Sequence, residues 1–201
     1  KVVSLDGHRI SIRKIQLKNS YEAKKVVVPG KTLSELSKIL DGGVDDYVDI
    51  YFTNSQILFE FGVTKVVSRL LEGEYYKINQ MLTNDYETKF SINKREFASS
   101  IDRASLFIKE SDKKPIILNI ENSSMYLKID STFGSMNEEL EINKEGKDIK
   151  IGFNPKFLMD ALRAIDDDNV DIYMINPKSP CYIKDNEGSY IYLILPVSIV
   201  A

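Results

Sequence analysis

The chain has 201 residues, a formal net charge of −3, 43% hydrophobic and 28% charged residues, and one cysteine. That balance excludes a disordered chain, a collagen-like chain and a disulfide scaffold. Cys181 cannot bridge internally, which fits a reducing, cytoplasmic setting. The longest apolar run, 190–196, is too short to span a bilayer, and the first residues carry no signal-peptide pattern, so no membrane partner is expected.

In chain order, the first residues read as the inside of a strand, and 26–28 as a short second one. A helix follows within 28–40. Pro29 suits its start, and Leu33, Leu36 and Leu40 share one side at about 100° per residue, opposite Lys31, Glu35 and Lys38. Residues 47–53, 56–61 and 65–70 read as strands, parted at Asn54-Ser55. Near Leu82-Thr83-Asn84-Asp85 the pattern restarts. Asn93 with Glu96 three residues on is a helix-capping pair, and Phe97, Ile101, Ala104 and Ile108 form the stripe of the helix it opens. Leu106 lies almost opposite that stripe and Phe107 off it, so both suit a second packing surface or a subunit interface.

Strands are expected at 115–120, 124–129, 139–142 and 148–153, with turns at Asn122-Ser123 and Glu145-Gly146. A third helix, within 154–165, opens on Asn154-Pro155 and buries Leu158, Ala161 and Ile165. Strands at 170–175, 182–184 and 190–195 complete an α+β chain of antiparallel sheet with few helices.

The chain repeats itself. Val-Asp-Ile-Tyr stands at 48–51 and again at 170–173, and Lys31, Glu35 and Lys38 recur 125 residues later as Lys156, Asp160 and Arg163. Alone, each trio is an ordinary solvated helix face. Its recurrence on related helices favours a shared cationic surface.

Nothing marks a catalytic centre. The single histidine, His8, has no nucleophile motif near it, and there is no glycine-rich phosphate loop, HExxH or CxxC. Asp45-Asp46 and Asp166-Asp167-Asp168 support one alternative, a metal-dependent nuclease or phosphoesterase. Each run follows an apolar-periodic segment, however, where a polar turn belongs.

Five motifs, in order and spacing, resemble the bacterial sliding clamp family, the beta subunit of DNA polymerase III. They are Asp6-Gly7-His8-Arg9-Ile10, Leu71-Glu72-Gly73-Glu74-Tyr75, Phe153-Asn154-Pro155-Lys156-Phe157-Leu158, Ser179-Pro180 and Leu193-Ile194-Leu195-Pro196-Val197. The resemblance implies repeated clamp domains of antiparallel sheet with two helices per complete domain. Residues 1–82 would be the end of the second domain, truncated at its start, and 83–201 the third.

It further implies a non-catalytic processivity factor without metal or cofactor, a ring that is a homodimer when full length. Duplex DNA would pass through it without sequence preference, facing Lys31, Lys38, Lys94, Lys156 and Arg163. The polymerase catalytic subunit, clamp loader and repair proteins would insert a short linear motif into an apolar pocket. Carried over residue by residue, that pocket is Leu5, Gly7, His8, Arg9, Ile10, Tyr76, Met81, Phe157, Pro180, Leu193, Leu195, Pro196 and Val197. Leu106, Phe107 and Arg103, with Glu138-Glu139 nearby, would meet the partner subunit. Leu5, Tyr76 and Ser198 depart from the family's usual residues and bear on peptide preference.

Overall fold

The computed structural model describes residues 1–40, 42–43, 47–109 and 114–199, and Asp45 and Asp46 lie outside them. By packing, the chain forms two units, one of Lys1–Gln16 with Asn84–Ala201 and one of Leu17–Thr83.

The larger unit holds two antiparallel sheets. The first has seven strands. In spatial order they are β1 (Val2–Leu5), β2 (Arg9–Arg13), β14 (Tyr190–Ile194), β13 (Cys181–Lys184), β12 (Asn169–Met174), β6 (Thr88–Asn93) and β10 (Asn143–Gly146). The second runs β11 (Ile149–Phe153), β7 (Ile116–Glu121), β8 (Ser124–Ser131), β9 (Gly134–Glu141). Strict alternation explains the strands: Ile116, Leu118 and Ile120 of β7, and Met125, Leu127 and Ile129 of β8, point inward and are buried while their neighbours face out.

Two helices, α2 (Lys94–Ser105) and α3 (Pro155–Arg163), pack against each other, α2 also on β6, β8 and β9 and α3 on β14. Phe97, Ile101 and Ala104 of α2 join Leu158, Ala161 and Leu162 of α3 in one core with both sheets. Each start is capped as expected. The Asn93 side chain accepts from the Arg95 and Glu96 amides, and Asn154 accepts from the Lys156 amide with Pro155 in the first turn.

Some boundaries differ from expectation for identifiable reasons. Helix α2 stops at Ser105, short of Ile108. The amides of Leu106, Phe107 and Ile108 each bond three residues back, tightening the end. Strand β6 was missed because its alternating Thr88, Phe90 and Ile92 run straight into the Asn93 cap. Strand β10, Asn-Lys-Glu-Gly, carries no apolar signal and is held by its ladder to β6.

Gly146 closes that ladder at φ +92°, and a Cβ there would stand 2.0 Å from the Glu87 carbonyl oxygen. Gly146→Ala is therefore expected to cost about 2 kcal/mol or more, from strain and displaced backbone together. Thermal unfolding would check this, and an unchanged midpoint would contradict it.

The smaller unit is a three-stranded sheet, β3 (Asp49–Phe52), β4 (Gln56–Phe61), β5 (Thr64–Arg69), with α1 (Gly30–Ile39) and a 3-10 turn at Ile78–Gln80. Leu36, Ile57 and Phe59 are its buried centre, flanked by Leu33 and Leu40 as expected. The expected strand at 26–28 reduces to one bridge, Val27 to Leu71. The two Val-Asp-Ile-Tyr copies diverge: Val170 and Ile172 are buried, whereas Ile50 is exposed on the edge strand β3 and Val48 is exposed just before it.

Candidate functional site

Within the larger unit, the β1–β2 turn is held by its own side chains. The Asp6 carboxylate accepts from the amides of His8 (2.9 Å) and Arg9 (3.1 Å), and Arg9 Nε donates to Asp6 Oδ2 at 2.8 Å. The other side of the guanidinium crosses to α3 and β14. Arg9 Nη1 donates to Asp160 Oδ2 at 2.6 Å and to the Tyr192 hydroxyl at 3.1 Å. Its Cζ sits 4.4 Å above the Phe157 ring, and the His8 ring stacks beside that ring at 6.0 Å and 25°.

Pairing places the expected apolar residues in one row. Leu5 faces Ile10, Ile10 faces Leu193, and Leu193 faces Tyr182, all on one side of the sheet. Ile10, Leu193 and Tyr182 are buried. Beyond β14, the Leu195 amide donates to the His8 carbonyl at 2.8 Å, and Leu195 is 39% exposed. Pro196 has no amide to continue the ladder. After it, the Val197 amide donates to the carbonyl of Gly152 on β11 at 2.8 Å, so the chain crosses to the second sheet. Gly152 fits there because a Cβ would stand 3.0 Å from the Val197 carbonyl oxygen. Pro180 immediately precedes β13, whose Cys181 faces Ile194. Thus Leu5, His8, Arg9, Ile10, Phe157, Leu193 and Leu195 come together through named contacts, around the open turn at Gly7. Tyr76 and Met81, both exposed, belong to the smaller unit.

The Asp6–Arg9 pair is held in its charged form. Partial burial pushes the Asp6 carboxyl up, but hydrogen bonds from Arg9 and the His8 amide outweigh it and hold it below 3.8. Burial likewise opposes the Arg9 charge, and its bonds to Asp6, Asp160 and Tyr192 raise it nonetheless. Because the folded Asp6 value lies below the unfolded one, its contribution is complete above the unfolded value and is lost as pH falls through the folded one. The turn is expected to hold at pH 5 and loosen only in stronger acid. The Asp6 carboxyl carbon shift followed against pH would check this, and a midpoint at or above the ordinary aspartate value would count against it.

The expected cations divide. Lys156 and Arg163 are exposed on α3, Arg163 lying 4.0 Å from Asp160. Lys31 and Lys38 are exposed on α1, where Lys38 pairs with Glu35 at 2.9 Å. Lys94 is different: its ammonium donates to the Ile165 carbonyl just past the C-terminal end of α3, where a cation is favoured. Of the expected interface residues, Leu106 is 82% exposed, while Phe107 packs partly against its own core. Arg103 pairs with Glu138 beside a groove of about 450 Å³ between α2 and β9.

The aspartate run does not converge. Asp166 approaches Arg13, Asp167 accepts from the Asn186 amide, and Asp168 approaches Arg95. Among the described residues no three His, Cys, Asp or Glu side chains are grouped to hold a metal. No helix among them is long and apolar enough to cross a membrane. Sequence reasoning missed Asp160, Tyr192 and Gly152 as parts of the groove. The Arg9 contacts to the first two span 151 and 183 residues, with no local pattern to announce them.

Family models match along nearly the whole chain: DNA polymerase III beta subunit, central domain, over residues 1–77, and its C-terminal domain over residues 79–198. The beta sliding clamp of Staphylococcus epidermidis is 40% identical over 195 residues, covering 96% of this chain and 52% of that protein. Among solved structures, a DNA polymerase III beta subunit from Eubacterium rectale is 65% identical with a TM-score of 0.94, covering 97% of this chain and 53% of that one. The Bacillus subtilis sliding clamp is 32% identical with a TM-score of 0.93, covering 98% and 53%. The chain thus spans about half the length of the relatives it matches.

Proposed function

Because the chain belongs to the DNA polymerase III beta subunit family, we propose that it is part of a non-catalytic processivity clamp, which encircles duplex DNA and tethers a polymerase by a short peptide. The observation that carries this is the joint match of the central and C-terminal domain models, over residues 1–77 and 79–198. Residues 1–82 and 83–201 are its domains by descent. A net charge of −3 fits a ring whose helices alone need be cationic. Contacts to phosphate carry no sequence information, and retention comes from topology, so weak contacts leave the ring free to slide while the tethered enzyme stays at high local concentration. Full-length protein assembled on nicked circular DNA should stay bound through gel filtration and be released when the circle is linearised. Release from the closed circle, or retention after cutting, would oppose a ring.

The groove of Leu5, Ile10, Leu193, Leu195 and Phe157, all of the larger unit, is proposed to take leucine and aromatic side chains of partner peptides, Gly7 leaving room for the peptide backbone. Assembly is proposed to be a head-to-tail homodimer of the complete protein. Support lies in two consecutive edge strands, β9 and β10, one ending each sheet, and in Leu106, exposed at the end of α2. Leu106→Ala alone avoids disturbing the core that Phe107 helps to fill. It is expected to weaken the full-length dimer about tenfold, loss of a buried leucine being worth about 1.5 kcal/mol or more. Sedimentation at falling concentration would show this, and an unchanged dimer would oppose it.

A further inference from the structure

Arg9 enters the groove by resemblance, and its guanidinium is already engaged along Nε, Nη1 and one flat face. Asp6 takes Nε, Asp160 and Tyr192 take Nη1, and the Phe157 ring lies beneath. Asp160 is the residue that fastens this group to α3. Its counterpart trio on α1 shows the alternative: there Glu35 pairs with its own helix neighbour Lys38 and both stay exposed. On α3 the anion turns instead to the β1–β2 turn at 2.6 Å, leaving Arg163 at 4.0 Å. Charge-assisted bonds of this kind fix orientation as well as add energy. A flat guanidinium over Phe157, with His8 stacked beside it, makes a finished wall next to Leu195, whose amide is bonded to the His8 carbonyl.

We propose that Asp160 is a positioning residue of the groove: by holding Arg9 across Phe157 it preforms the wall against which an apolar or aromatic peptide side chain packs. This rests on the peptide-groove reading and deepens it. Arg9 serves there as a packing plate, its Nε and Nη1 held by Asp6, Asp160 and Tyr192 and its flat face on Phe157. A preformed wall spares the ordering cost that binding would otherwise carry.

The test combines binding with a signal that needs no ligand. A fluorescent synthetic peptide bearing one leucine and one phenylalanine is titrated against the chain, and the Phe157 ring protons are followed by NMR without peptide. Asp160→Ala should weaken binding about tenfold, the scale of a lost charge-assisted bond, and shift the Phe157 ring resonances as the Arg9 and His8 packing loosens. Asp160→Asn keeps an oxygen acceptor and should recover part of both, with backbone shifts of β14 unchanged in each. Equal affinity and unmoved Phe157 resonances in Asp160→Ala overturn the proposal. Should the wild-type chain fail to bind while Asp160→Ala still moves Phe157, the positioning of Arg9 stands and the groove reading falls. If Asp160→Ala fails to fold, Asp160→Asn reads both quantities, and no change in either overturns the proposal.

Discussion

Truncation after Ile194 is expected to abolish binding of an apolar clamp-type peptide, a loss of at least about 100-fold, while the larger unit stays folded. Strand β14 ends at Ile194, so its ladders to β2 and β13 survive the cut. What goes is Leu195 on the His8 carbonyl, Pro196, and Val197 seated on Gly152. Each fully buried apolar side chain contributes roughly 1.5–3 kcal/mol, and two subsites lose their walls together. For the intact chain a Kd near micromolar, about −8 kcal/mol, is the expected scale once peptide ordering is charged against burial. Fluorescence anisotropy of labelled peptide against both forms measures the difference. Equal affinity would place the groove elsewhere.

The second large effect concerns salt. Replacing Lys31, Lys38, Lys156 and Arg163 together by glutamate in the full-length protein should flatten the dependence of DNA affinity on salt, by up to about one unit of log–log slope for each phosphate that is no longer neutralised. Lys94 is left out of that set. Its ammonium is committed to the Ile165 carbonyl, so Lys94→Glu would place a like charge at the negative end of α3 and act on stability instead. Filter binding over a salt series gives the slope, and an unaltered slope in the fourfold variant would mean that these faces do not meet phosphate.

Much of the fold is legible in the sequence where the signal is local. Asn93 and Asn154 cap the helices they announce, and the alternation of β7 and β8 is plain. What stays hidden is carried by residues that meet across long stretches of chain. Asp160 reads as the middle of a solvated trio because nothing nearby shows that Arg9 reaches it. Lys94 reads as a surface cation because a backbone carbonyl leaves no mark in sequence. Phe107 reads as an off-stripe residue if the helix is extended past Ser105, where the chain in fact turns and tucks the ring inward. Strand β10 has no apolar residue to betray it. In the groove, Ile10 and Leu193 are legible as apolar strand positions, but that they face each other depends on register, which only the assembled sheet fixes.

The pairing of β2 with β14 also sets a timetable. Arg9–Arg13 is made first, and the strand that completes its ladder is made some 180 residues later. At the usual 5–20 residues per second, the β1–β2 hairpin waits on the order of 10–40 s with one edge open. A two-stranded hairpin is marginal alone, and long-range pairing is slow to close. The groove therefore comes into being late in synthesis, with Leu193–Val197, and a nascent chain has nothing to offer a partner peptide before then. Its early strands are the segment most in need of shielding while they wait.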